Sequence, residues 1–327
     1  MILGTTKITE YETNLLNNIL DSLEYYGANN ILSSVILTGS LGRGEPTYTL
    51  GEDGDLKLKS DVEIALVFPQ KMSRKKVELL IKQVKGKFKE DLNMMPVCEK
   101  RVRQTHNYNY SFVAPRYVTV FTYDLYNGSK TIWGKDFIQT HKISNESIDK
   151  FEAKRLVANR IGEMIHLRNS VGMPYTEMQW KGKVMLAIGS AWLICKNKYI
   201  SSYHSQYEEL KKMRKYIDSE IGTGFFSLYE KAFFFLRKND QLKEIPDELL
   251  KLYVKGADHF FHLQGLNKSQ TNNLARTAKY YIKYMKNSNK FGLIGFENKI
   301  LQSLISGYYL DCDDINITAQ IWKDVLY

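Results

Sequence analysis

The chain has 327 residues, 43% hydrophobic and 25% charged, with six prolines. That length admits two or three domains and a core that needs no disulfide or metal staple, and the composition excludes a disordered, collagen-like or low-complexity protein. Lysine and arginine number 46 against 36 acidic residues, a formal charge of +10, and residues 151–327 hold 26 basic against 18 acidic residues. The simplest source of this excess is solvated, lysine-rich helix faces; an attraction for polyphosphate, nucleic acid or acidic glycans is the alternative. The three cysteines, Cys98, Cys195 and Cys312, lie far apart without a CxxC pair, so neither a disulfide framework nor a thiolate zinc site is expected. Polar residues come early in the N-terminal segment and no run of 18 apolar residues occurs, so the expectation is a cytoplasmic protein without a membrane span.

In chain order, residues 9–26 place Tyr11, Leu15, Leu16, Ile19 and Leu23 at helical steps and predict a core-facing helix. Residues 34–38 form a β-branched run that ends at Gly39, and residues 61–68 alternate acidic and apolar side chains before turning wholly apolar; both predict strands. Residues 73–90 predict a lysine-faced helix with Ser73 placed to cap it. The β-branched and aromatic run 117–125, ending at Asn127-Gly128, predicts a third strand and a hairpin into 129–133. From about residue 145 the pattern is helical, with predicted helices at 147–169, 180–196, 203–217, 226–239, 246–265, 268–287 and 295–307, and breaks near 172–174, 222–224 and Pro246. An α+β chain follows: a domain of small mixed sheet and flanking helices over 1–144, then an all-α bundle over 145–327.

The chemistry concentrates in Leu37-Thr38-Gly39-Ser40-Leu41-Gly42-Arg43-Gly44-Glu45 and, after a spacer, Ser60-Asp61-Val62-Glu63-Ile64. A strand ending in Gly-Ser, with further glycines nearby, can turn sharply and present backbone N–H groups to a polyphosphate. Asp61 and Glu63 stand two residues apart, so a strand sends both carboxylates to one face while Val62 and Ile64 enter the core. Paired acids beside a phosphate cradle suit divalent-cation phosphoryl chemistry. The 41–60 spacer carries a second acid pair, Asp53 and Asp55. The glycine between those two acids and the lysines after them fit a turn with solvated charges, or a substrate-facing flap, better than a buried strand.

These segments resemble the hG[GS] and Dh[DE]h signatures of the DNA polymerase β-like nucleotidyltransferase superfamily, especially its small-substrate branch of minimal and aminoglycoside nucleotidyltransferases. The spacer is longer than is usual there. The resemblance implies a nucleotidyltransferase-fold N-terminal domain and a helical domain that closes over the nucleotide. It implies transfer of a nucleoside monophosphate, AMP from ATP being the expected case, to a hydroxyl, with two Mg²⁺ ions held by three carboxylates. Gly39 and Ser40 then bind the triphosphate and Asp61 and Glu63 bind the metals. The family's third carboxylate lies on a later neighbouring strand; Asp124 is the match, as metal ligand and general base, and Asp136 lies nearby in a loop. Arg43 is expected beside the nucleotide and the carboxylates, with an ion pair to Glu45 or Glu63 as the structural alternative.

In the helical half, the resemblance points to a Lys or Tyr for the β- and γ-phosphates, here Lys181 or Lys183 with Tyr203; solvated lysines on a first helical turn are the plain alternative. Arg160 and His166 have a spacing similar to the RNase motif of helical domains that accompany minimal nucleotidyltransferases, although a structural hydrogen bond is the simpler role for His166. His259 and His262 are expected to be packing residues rather than metal ligands. The expected acceptor is a hydroxyl-bearing small molecule, protein or glycan. Two other readings stand beside it: a regulatory nucleotide-binding protein, such as a toxin–antitoxin partner, and an RNA-directed nucleotidyltransferase.

Overall fold

The computed structural model describes residues 5–50, 55–70, 72–90, 92–99, 102, 118–139, 142–168, 177–238 and 244–266, together with 300, 302, 304, 305 and 308. The chain divides into two compact units, Met1–Tyr108 with Val120–Ser144 and Asn109–Thr119 with Asn145–Tyr327. Among the described residues no helix is long and apolar enough to cross a membrane.

The first unit is built on β1 (Ser34–Thr38), whose five residues are all buried because it runs inside the sheet rather than at its edge. It pairs antiparallel with β4 (Val62–Phe68) on one side and with β6 (Lys130–Gly134) on the other. Strand β5 (Leu92–Cys98) runs parallel to β4, giving the order β5-β4-β1-β6. The parallel pair needs a crossover, which is supplied by helix α3 (Arg74–Lys85). Helix α1 (Thr5–Ala28) extends beyond the predicted 9–26 and buries Leu15, Ile19 and Leu23 at successive four-residue steps. With Val77, Leu80 and Val84 of α3, these residues close over Val35, Leu37, Val62, Ile64, Leu66, Leu92 and Met94, which define one face of the sheet.

A single helical turn, α2 (Gly39–Gly42), follows β1 directly. The spacer then forms its own antiparallel pair, β2 (Tyr48–Leu50) with β3 (Leu56–Leu58). The base of this hairpin is stitched by Lys59 N–H to Thr47 O (2.8 Å) and Thr47 N–H to Ser60 Oγ (3.2 Å). Tyr48 donates its phenol to Glu12 of α1 and meets Tyr11 edge-on, with ring centroids 6.0 Å apart. Of the spacer acids, Asp55 is exposed just before β3, and Asp53 lies outside the described residues.

One predicted strand is corrected. The 117–125 run is not a strand: Val120–Asn127 is a helix, α4, and Val118 makes only an isolated parallel bridge with Ile148. Rolled into a helix, the segment buries Tyr123, Leu125 and Tyr126. The expected hairpin partner β6 exists, but it pairs with β1.

The second unit is helical over its described residues: α5 (Phe151–Arg168), α6 (Glu177–Cys195), α7 (Tyr203–Lys212), α8 (Arg214–Ile221), α9 (Phe225–Lys238) and α10 (Asp247–Leu263). The predicted 203–217 helix is two helices, broken at Met213. The break at 222–224 is present, with Gly222 at φ 149° and Gly224 at φ 81°, and Pro246 immediately precedes α10. All of 268–287 and most of 295–307 lie outside the described residues; 300, 302, 304 and 305 are helical. Helix α6 is the buried centre, and a β-carbon at Gly189 would stand 2.5 Å from the Tyr229 ring. Tyr207, Phe226 and Phe233 stack beside it, Tyr207 on Phe233 at 4.7 Å and 5°.

Candidate functional site

The bend and the acidic strand meet. Register pairs Thr38, the last residue of β1, with Glu63 of β4, so the turn that begins at Gly39 stands beside the first residues of β4. Gly39 adopts φ +64°, and a β-carbon there would lie 1.8 Å from Glu63 Oε2 and 2.7 Å from its carboxyl carbon. Only glycine provides both the left-handed backbone and the room for that carboxylate. The turn is closed by Arg43 N–H to Gly39 O (3.1 Å) and Glu45 N–H to Ser40 O (2.8 Å). Ser40 is half-buried, and no described residue bonds its hydroxyl.

The hairpin explains how a long spacer still delivers the second motif. Because Thr47 is tied to Lys59 and Ser60, the chain leaves and re-enters at one place, and the half-buried Asp61 follows Ser60 immediately before β4. Lys59 sits at this base with its ammonium pKa lowered by burial. Glu63 shares the face opposite the α1/α3 core, since its neighbours Val62 and Ile64 belong to that core.

The other predicted residues fare differently. Arg43 places its Nε 3.6 Å from Glu45, so the structural ion pair is present. Asp124 lies on α4 and not on a strand, and its carbonyl accepts from Gly128 N–H (2.8 Å) and Ser129 Oγ (3.1 Å). Gly128 in turn lies close to α2: its carbonyl would be 3.1 Å from a β-carbon at Gly42. Asp136 is exposed and accepts from Thr131 Oγ1 and from the backbone of Ile138 and Gln139. The position beside Glu63 on the next strand is Asn93, paired with it in the parallel ladder, and Asn93 is exposed. The sequence reading passed it over; the alternation of buried Leu92 and Met94 around it was the available signal.

Within the second unit, Lys183 places its ammonium 4.3 Å from the Trp180 ring centroid, and Tyr203 opens α7 with the Arg237 guanidinium 4.5 Å over its ring. Lys181 is buried and structural: it pairs with Asp247 (2.8 Å) and Glu177 (3.2 Å) and donates to Ile245 O (3.3 Å). Burial pulls its pKa down, but the two carboxylates outweigh burial and the net direction is up. Arg160 is tied to Glu163 one turn on, and the side chain of His166 lies outside the described residues. His259 and His262 are exposed, so they are not the packing residues expected.

Asp61 and Glu63 supply hard oxygen donors of the kind Mg²⁺ takes, and the space left at Gly39 accommodates the Glu63 carboxylate. Among the described residues no group of three or more His, Cys, Asp or Glu gathers to hold a metal. Compared with known proteins, the chain matches no family model, and no curated protein matches it significantly.

Proposed function

We propose that this chain transfers a nucleoside monophosphate, AMP from ATP in the expected case, to a hydroxyl of a small molecule, protein or glycan. The observation that carries the reading is the seating of the Glu63 carboxylate in the gap left by Gly39, next to a Ser40 hydroxyl that no described residue bonds. In this reading Ser40 binds a phosphate oxygen through its hydroxyl, and the glycine turn lets the triphosphate approach the backbone. Asp61 and Glu63 hold Mg²⁺, which when bound neutralises charge on the triphosphate. The chain's own contribution is positioning: it fixes the α-phosphate in line with the acceptor hydroxyl and excludes bulk water around it.

The test is label transfer from ATP carrying radiophosphorus at the α- or the γ-position, incubated with Mg²⁺ and cell extract. Label from the α- but not the γ-position should appear in an acceptor fraction, and Asp61→Asn should abolish it. Label from the γ-position alone would replace the reading with a kinase. The second reading is nucleotide binding without turnover. ATP binding that depends on Asp61, with no label transferred from either position, would establish it.

A further inference from the structure

We propose that the outer face of α3 is a docking surface for an anionic phospholipid bilayer, with Leu79 at its centre and lysines framing it. Residues 75–89 carry six lysines, Lys75, Lys76, Lys82, Lys85, Lys87 and Lys89, against one acid, Glu78. All six lysines are exposed, and no described residue forms an ion pair with any of them. The next acid, Glu90, accepts from the Tyr11 phenol of α1. Val77, Leu80 and Val84 enter the core and fix the inward side of the helix. The opposite side is a ridge of Lys75, Leu79 and Lys82. Leu79 is 56% exposed, and its helical neighbours three and four residues away are Lys75, Lys76, Lys82 and Gln83.

Helix stability does not account for this arrangement. Lys82 and Lys85 in the last turn complement the helix dipole. Lys75 and Lys76 stand at its positive end, where the first turn holds no acid and Ser73 makes no side-chain cap bond. Cations set against the dipole and against one another are stabilised by an external anionic surface. The exposed leucine decides which surface. On a bilayer it enters the interfacial layer while the lysine stems lie along that layer and their ammonium groups meet lipid phosphates. A nucleic-acid backbone would satisfy the lysines and leave the leucine in water. On the Gln83 flank, where the Tyr26 phenol of α1 donates to that amide (2.8 Å), the basic face gives way to a helix that exposes Asp21 and Glu24. The lipid therefore meets α3 and the 86–89 turn rather than α1.

The experiment is cosedimentation of the full-length chain with vesicles of phosphatidylcholine alone and of a two-to-one mixture of phosphatidylcholine and phosphatidylglycerol, with single-stranded RNA titrated in parallel. The chain should bind the mixed vesicles and not the neutral ones, and added salt should release it. Lys75→Gln combined with Lys82→Gln should weaken vesicle binding at least about tenfold, and Leu79→Ser about threefold, each at an unchanged unfolding temperature. Lys211→Gln combined with Lys215→Gln, which removes two exposed lysines of the second unit, should bind like the wild type. The proposal is overturned if the mixed vesicles are not bound, if the α3 pair or Leu79→Ser leaves binding unchanged, or if the second-unit pair weakens it as much. RNA binding that needs the same α3 lysines and excludes the vesicles would overturn it too, and would give this face to nucleic acid.

Discussion

The Glu63 carboxylate occupies the volume that any side chain at residue 39 would need, and Gly39 is also in the left-handed region at φ +64°. Two constraints thus fall on one residue, and a second glycine separates them. Gly44 has φ +71° but nothing within 4 Å of its would-be β-carbon. Gly44→Ala should therefore cost only the backbone strain, about 1–2 kcal/mol, and leave cation binding intact. Gly39→Ala should cost that strain and also push Glu63 out of place, so Mn²⁺ binding should fall at least about tenfold. Thermal unfolding and Mn²⁺ titration of the two variants separate the effects; equal binding by both would show that the Gly39–Glu63 packing has no bearing on the site.

Ser60 joins the spacer hairpin to the acid strand, since its hydroxyl receives Thr47 N–H at 3.2 Å one residue before Asp61. Ser60→Ala leaves that N–H without its partner and should cost about 1 kcal/mol. Asp61 should then be held less firmly, so Mn²⁺ affinity should fall about threefold, while shortening the distal part of the hairpin, away from Thr47 and Ser60, should not change it. Titration of the point variant against a variant shortened between β2 and β3 decides whether the stitch or the hairpin tip matters.

How much was legible follows from what each segment had to satisfy. The 61–68 strand announced itself because its start alternates acids with core residues and its remainder, buried on both faces, is an unbroken apolar run. Strand β5 gave a weak signal: it contains Pro96 and two methionines, tolerated because it lies at the sheet edge, where a missing N–H can face away from the ladder. The 117–125 run misled in the other direction. Its β-branched and aromatic residues favour a strand locally, but the place beside β1 is taken by β6, and the segment instead buries Tyr123 and Tyr126 one helical turn apart. Asp124 was misplaced with it, and the strand position beside Glu63 proved to be Asn93.

The two lysines at the start of α6 differ in what they already hold. Lys181 is buried between Asp247 and Glu177, while Lys183 lies over Trp180. Because both carboxylates are themselves partly exposed, Lys181→Met should destabilise the protein by about 1–2 kcal/mol rather than the larger penalty of a fully buried pair. Nucleotide affinity should not change with it. Lys183→Met should cost up to about 1–2 kcal/mol, because its half-buried ammonium lies over the buried Trp180 ring. If Lys183 contacts the triphosphate, its variant alone should weaken ATP binding. Chemical unfolding and ATP titration of both variants provide the check, and weakened ATP binding by Lys181→Met at unchanged stability would reverse the assignment.

Lys154 of α5 is fully buried and donates to Gln302, whose amide nitrogen bonds both oxygens of the buried Asp258 at 2.9 and 3.0 Å. Burial lowers the Lys154 pKa to about 8, the Asp258 charge opposing the shift without cancelling it. The unfolded chain, with an ordinary lysine pKa, binds the proton more tightly than the folded one. Between about pH 8 and 10.5 the unfolded state therefore carries more protons, and stability from this group rises with pH across that window. Below pH 8 the penalty of a buried ammonium is present in full, on the order of 3 kcal/mol. Lys154→Met removes the titrating group, so the difference in unfolding free energy between wild type and variant should shift in favour of the wild type from pH 8 to 10.5. Tyrosines that titrate near the top of this range are common to both proteins and cancel in the difference. Denaturant unfolding of the pair at pH 7, 8, 9 and 10 measures it; a difference constant across that series would mean that Lys154 keeps an ordinary pKa in the folded protein.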